Sequence, residues 1–168
     1  MSREKYIDNI IGINWYLNNP DITNCGSYAF NILNWYNPWP KRQSAADLID
    51  MQLAPDHRNL QSLKQNIMRI CSKKILEDFK SKNIKQISSP KFYKPNKDLI
   101  AFRIAVAPGD WDNCTETDFH FRVFRDGHWS EKSGSEREIH FCDFTEDTWF
   151  TATDLVYDSP IMYFMKDS

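Results

Sequence analysis

Hydrophobic and polar positions change period once along the chain, near residue 90. Before that point apolar residues recur every three or four positions, the period of helices that bury one face. Residues 3–18 carry Tyr6, Ile10, Ile11, Ile13 and Trp15 in a loose stripe of this kind. Pro20-Asp21-Ile22-Thr23 breaks it and supplies capping side chains for a second helix, expected from Asn24 to Tyr36. Cys25, Tyr28, Ala29, Ile32, Leu33 and Tyr36 share one face of that helix, and Asn37-Pro38-Trp39-Pro40 ends it. Ser44-Ala45-Ala46-Asp47 has capping-box form and predicts a short helix to Leu53. The longest helical pattern runs from Asn59 to Asn83, with Leu60, Leu63, Ile67, Ile70, Cys71, Ile75 and Phe79 on one face and lysines on the other. The lysines of the stretch Lys73–Lys94 are read as a solvated face.

After Ser88-Ser89-Pro90 the period shortens to two or disappears. Leu99–Ala107 (LIAFRIAVA) is short, apolar but for Arg103, and β-branched, as a central strand is. Residues 119–124 and 129–132 flank Arg125-Asp126-Gly127-His128, and Asp-Gly between alternating segments predicts a tight hairpin. Ile139–Asp143 and Ile161–Phe164 are further short strands. Helices first and an antiparallel sheet afterwards predict an α+β fold, with residues 1–90 mainly helical and 91–168 mainly strand in one domain spanning 1–168.

Composition narrows the partners. A chain of 168 residues with 41% hydrophobic and 26% charged content can build a core without disulfides or structural metal. The net charge of −2 gives no global footprint for nucleic acid or an anionic membrane. No apolar run approaches the roughly 18 residues of a membrane span, and Asp8, Asn9 and Asn14 interrupt the N-terminal stretch where a signal peptide would be apolar. The expected location is the cytoplasm, or outside it by a route without a classical signal. The four cysteines, Cys25, Cys71, Cys114 and Cys142, have no Cys-x-x-Cys spacing and are read as reduced thiols. Asn113-Cys114-Thr115 fits a glycosylation acceptor, relevant only to a eukaryotic secretory route.

The candidate chemistry starts at Asn24-Cys25-Gly26-Ser27-Tyr28-Ala29-Phe30-Asn31, which puts a thiol where a helix begins. Unpaired N–H groups and a partial positive charge there favour thiolate, so Cys25 is a candidate nucleophile. The competing reading is a small buried residue on a core-facing helix. Cys71, in the middle of an apolar stripe, is read as structural. Among the histidines, His120 alone lies inside a clear strand, with Asp118, His120 and Arg122 on one face and Phe119, Phe121 and Val123 on the other. A neutral imidazole beside a thiol can take its proton, which is the arrangement of cysteine hydrolases. A third group usually holds the other ring nitrogen. Asp143, at the end of the next strand, is preferred, with Asp118, Glu146 and Asp147 as alternatives. A rival thiol site would centre on Cys142, near His140 and Asp143. No His-x-x-x-His spacing or glycine-rich phosphate loop occurs, so neither a metal nor another cofactor is expected.

The segments NCGSYAFN (24–31) and DFHFRVFRDGHWSEKSG (118–134) together resemble an uncharacterised bacterial family with an Asn-Cys-Tyr-(Ala/Ser)-Tyr-Ala-Leu-Asn start. That family continues with an Asp-Tyr-His-(Phe/Trp)-Tyr-Arg block and an Asp-Gly-x-Trp-Ser-His-Lys-Pro-Gly block. Its arrangement looks like that of papain-like cysteine hydrolases. The resemblance implies Cys25 as nucleophile, His120 as base and Asp143 as orienting group, with Asn24 and the Cys25 backbone N–H stabilising an oxyanion. Trp129, Lys132 and Gly134 are read as a hairpin that buttresses the His120 strand. Gly26, Glu131 and Ser133 depart from the pattern, Glu131 standing where His is usual.

These features predict a cysteine-dependent acyl-transfer hydrolase, a peptidase, amidase or deamidase, acting on a protein or peptide. If the source is a pathogen, that protein would be in a host cell and the chain an exported effector. An amine acceptor in place of water would make it a transglutaminase. The rival class is a non-catalytic module that keeps the fold and holds a peptide or partner protein in its aromatic groove.

Overall fold

The apolar run that begins at Leu99 becomes the middle of a six-stranded sheet because its side chains find a core on both faces. The structure is a computed structural model and describes residues 18–39, 60–106, 117–134, 137–142, 149 and 156–168. Its strands are β1 (Lys85–Ile87), β2 (Lys97–Val106), β3 (Thr117–Arg125), β4 (His128–Lys132), β5 (Ile139–Cys142) and β6 (Met162–Asp167). They lie in the order β1-β6-β2-β3-β4-β5, every neighbouring pair antiparallel. Two α-helices are described, α1 (Cys25–Phe30) and α2 (Leu60–Asp78), besides three single turns of 3-10 helix. The fold is therefore α+β with an antiparallel sheet and few helices. Among the described residues no helix is long and apolar enough to cross a membrane.

Alternation along the central strands sorts the side chains into two cores. Ile100, Phe102, Ile104, Phe121, Val123 and Phe164 face the helices, where they meet Phe30, Ile67, Met68, Cys71, Ile75 and Phe79. On the opposite face Leu99, Ala101 and Ala105 pack with Trp149, Tyr157 and Tyr163. The helix-side core is aromatic at its centre. Phe30 stacks on Phe79 with centroids 3.9 Å apart, and meets Phe121 edge-on at 5.2 Å. Truncating such a ring to Ala costs about 3–5 kcal/mol.

The hairpin forms where Asp-Gly predicts it. Asp126 and Gly127 both have positive φ, 51° and 85°, as a two-residue turn of matching twist requires. The pairs Arg125↔His128, Phe124↔Trp129 and Val123↔Ser130 follow from that turn. The expected helix from Ser44 to Leu53 lies outside the described residues, as do residues 3–17 of the helix expected at 3–18, and Cys114 and Asn113. β1 was not expected. It is a three-residue edge strand, too short for its alternation to register in the sequence.

The helix expected from Asn24 to Tyr36 is shorter than predicted and ends at Phe30. Asn31 adopts the left-handed conformation, φ 55°, and closes the helix with Asn31 N–H to Tyr28 O and Ile32 N–H to Ser27 O. That is the paired closure in which a left-handed residue satisfies the last carbonyls, and asparagine tolerates the conformation better than most side chains. The helical spacing of Ile32, Leu33 and Tyr36 is fortuitous. Leu33 is exposed, and Tyr36 returns to the core from a loop.

Candidate active site

A six-residue helix cannot hold itself together. α1 is held from outside at both ends. At its start, the Asn24 side-chain oxygen accepts from Ser27 N–H at 3.0 Å and the Ser27 hydroxyl accepts from Asn24 N–H at 3.1 Å, a reciprocal cap. The fully buried Lys132 on β4 donates to the carbonyls of Thr23 and Gly134. Tyr28 ties the helix to β4 through Ser130, with their oxygens 2.8 Å apart. At the far end Arg125 donates to Ala29 O at 3.3 Å, and Lys82 to Phe30 O at 3.0 Å. Cations at a helix C-terminus complement its unpaired carbonyls. Arg125 and the buried Lys166 also share Asp98, with Nη2 and Nζ each 2.6 Å from its Oδ2.

Gly26 lets the helix approach closely. A Cβ there would stand 2.8 Å from Cδ1 of Tyr36 and 3.1 Å from its Cβ. Tyr36 cannot yield, because its backbone bonds both ends of the Asn24 amide and its ring packs against Phe30, Phe79 and Phe121. Its hydroxyl bonds Asp78 Oδ2 at 3.2 Å. Glycine at position 26 is therefore a packing requirement of this chain.

These contacts bring Cys25 to the edge of β3. Ile104 directs its N–H and C=O to Ser159, away from β3, so its partner Phe119 directs its own backbone groups to the other side. Between β3 and β4 the register runs from Arg125↔His128 to Val123↔Ser130, short of Phe119. The Cys25 sulfur lies beside this edge, 3.9 Å from Phe119 O. His120, the next residue, lies close enough to the same thiol for Cys25 to act on its imidazole.

The second partner of His120 is Glu131, whose Oε2 lies 2.9 Å from Nε2. With Nε2 committed to the carboxylate, Nδ1 is the nitrogen available to the thiol. Burial would lower the His120 pKa, but hydrogen bonds and charge from Cys25 and Glu131 prevail and raise it from 6.5 to about 9. Glu131 moves the other way: burial raises it, while His120 and Arg122 bring it down from 4.5 to about 2. Arg122 donates Nε to the same Oε2 at 2.5 Å and lays its guanidinium 4.3 Å from the Trp149 ring centre. Trp149 also meets the His120 ring edge-on at 5.9 Å, and Tyr157 lies 5.4 Å from it on another side. The imidazole is thus fixed by one carboxylate and two aromatic rings.

The other proposed residues fall as follows. Asn24 spends its amide on the structure: its oxygen caps α1 and accepts from Tyr36 N–H, and its nitrogen donates to Tyr36 O at 2.7 Å. Asp143, Glu146 and Asp147 lie outside the described residues. Asp118 bonds the Tyr157 hydroxyl at 2.7 Å and the Phe119 N–H at 2.8 Å, and not a ring nitrogen of His120. Cys71 is buried in the core, which raises its thiol to about 12. Cys142 is half-buried on β5, where His140 approaches Glu138 at 3.9 Å. Among the described residues no cluster of three or more His, Cys, Asp or Glu could hold a metal ion.

Sequence reasoning passed over Glu131, yet a signal was present. Counting outward from the Asp-Gly turn places Glu131 opposite Arg122, and so on the face of His120. Comparison of the chain with family models, with curated proteins and with solved structures finds no match.

Proposed function

We propose that the chain is a papain-like cysteine hydrolase that transfers an acyl group from a protein or peptide through a Cys25 thioester. The observation that carries the reading is His120 set between Cys25, which acts on its imidazole, and Glu131, whose Oε2 lies 2.9 Å from Nε2. In the proposed cycle His120 takes the thiol proton and the sulfur attacks the substrate carbonyl carbon. The Cys25 backbone N–H, in the helix turn whose N–H groups have no helical partner, faces the developing oxyanion. Imidazolium then protonates the leaving amine. Water attacks the thioester as His120 takes one of its protons, the acid departs and the thiol is restored. Glu131 holds the ring orientation and stabilises its charged form, the role assigned to Asp143 from sequence. A capping role remains for Asn24, which fixes the turn that presents Cys25. The two-block resemblance to cysteine hydrolases supports the same assignment.

A non-catalytic module is the second reading, favoured by the burial of the pair, Cys25 being 4% and His120 6% exposed. Alkylation by iodoacetamide near neutral pH separates the two. Catalysis predicts that Cys25 is modified far faster than Cys71 and Cys142, and that this advantage disappears in His120→Ala. Equally slow labelling of all thiols, or rapid labelling that survives the loss of His120, rejects the hydrolase.

A further inference from the structure

Asp118 is exposed two residues along β3 from His120, on the same face. The carbonyl that the Cys25 sulfur touches belongs to Phe119, the residue between them. The carboxylate is held in place: Oδ2 accepts from the Tyr157 hydroxyl and Oδ1 from the Phe119 N–H. Tyr157 is itself buried, with its ring against His120, so the orientation of Asp118 is fixed by the wall of the site. Among the described residues no cation pairs with Asp118. The nearby arginines are engaged elsewhere: Arg122 on Glu131, and Arg103 on Ser159 O at 2.8 Å with its guanidinium towards Trp149. Two oriented oxygens therefore keep acceptor capacity towards solvent beside the thiol, since a carboxylate has about four lone-pair sites.

We infer that Asp118 determines specificity, receiving a cationic group of the substrate, an ammonium or guanidinium, next to the acyl carbon that Cys25 attacks. The inference rests on Cys25 as nucleophile and names the substrate class: basic peptides, or peptides presenting a free amino terminus close to the reacting bond. Strand geometry puts the carboxylate about 7 Å from the imidazole. At that range, in a partly solvated site, one unit charge is worth about fivefold in rate, and salt reduces it.

Three methanethiosulfonates test this directly, one bearing trimethylammonium, one neutral and one bearing sulfonate. In each case the Cys25 thiolate displaces methanesulfinate and forms a mixed disulfide. The expected order is cationic, neutral, anionic, with a cation-to-anion ratio of about twentyfold at low salt that collapses in Asp118→Asn, each charged rate being read against the neutral rate of the same protein. A wild-type protein without cation preference overturns the inference with no variant needed, and so does a preference that survives D118N. If the neutral reagent finds no fast thiol at Cys25, the nucleophile reading fails visibly, and this inference fails with it. Peptidyl acyloxymethyl ketone probes then identify the source of the charge. A preference for lysine over norleucine points to a side chain, and one for a free over an acetylated terminus points to the amino group. Indifference to both overturns the inference.

Discussion

Replacing Glu131 by Gln keeps the shape of the side chain and removes its charge. In the native protein burial favours neutral His120, yet hydrogen bonds and charge from Cys25 and Glu131 raise it from 6.5 to about 9. At about 1.4 kcal/mol for each tenfold change, that is a net preference for imidazolium of a few kcal/mol. Glu131 is one of the two groups that produce it, so E131Q should lower the His120 midpoint by about one pH unit or more. The ring Cε1–H resonance followed by NMR from below 6.5 to above 9 reads this directly. In parallel, iodoacetamide should alkylate Cys25 in E131Q about tenfold more slowly near neutral pH for each unit lost, and match the native rate at high pH.

Stability carries the same signature. The raised His120 contributes fully below 6.5, and its contribution is lost as pH rises through about 9. The lowered Glu131 contributes fully above 4.5, and its contribution is lost as pH falls through about 2. The urea midpoint should therefore be highest between 4.5 and 6.5, and its alkaline decline should flatten in E131Q. A midpoint that stays near 9 in E131Q, with alkylation unchanged, refutes the orienting role of Glu131.

Other expectations follow from the supports of the site. Gly26→Ala should destabilise the protein by about 1–3 kcal/mol in urea unfolding, because the added carbon meets a tyrosine fixed on all sides; an unchanged midpoint would show that Tyr36 can move. Asp98→Asn leaves the Arg125 and Lys166 charges buried without their counterion and should cost about 3–5 kcal/mol. Although burial raises the Asp98 pKa, those two cations hold it below the usual carboxylate value. Its contribution is therefore present above 3.8 and is lost as pH falls, and chemical denaturation of wild type and D98N at two pH values checks both statements.

The elements that could be read from the sequence are those whose signal is local. The hairpin at Asp126-Gly127 needs only four residues, and the burial of β2 on both faces shows as a run from Leu99 to Val106 that only Arg103 interrupts. The helix ending at Phe30 was hidden because Asn31 terminates it by conformation, leaving the apolar spacing beyond unchanged. The Cys25–His120 approach was suggested by residue type, but its geometry depends on an edge of β3 that only the sheet order reveals. Glu131 could have been found by counting register from the turn. Asp143, expected from its place at the end of a strand, lies outside the described residues. Trp149 and Tyr157 lie outside every predicted strand, and nothing local indicates that they wall in His120.

With Cys25 as the proposed nucleophile, the clamps on α1 also set when its thiol becomes reactive. Every group that holds or activates Cys25 from beyond its own turn and loop is encoded later in the chain, from Lys82 through His120 and Glu131 to Lys132. A nascent chain that has released α1 but not yet β3 and β4 presents a short, unsupported turn whose cysteine has neither base nor carboxylate. Synthesis order alone would thus keep the proposed nucleophile quiet until the sheet that confines it has closed.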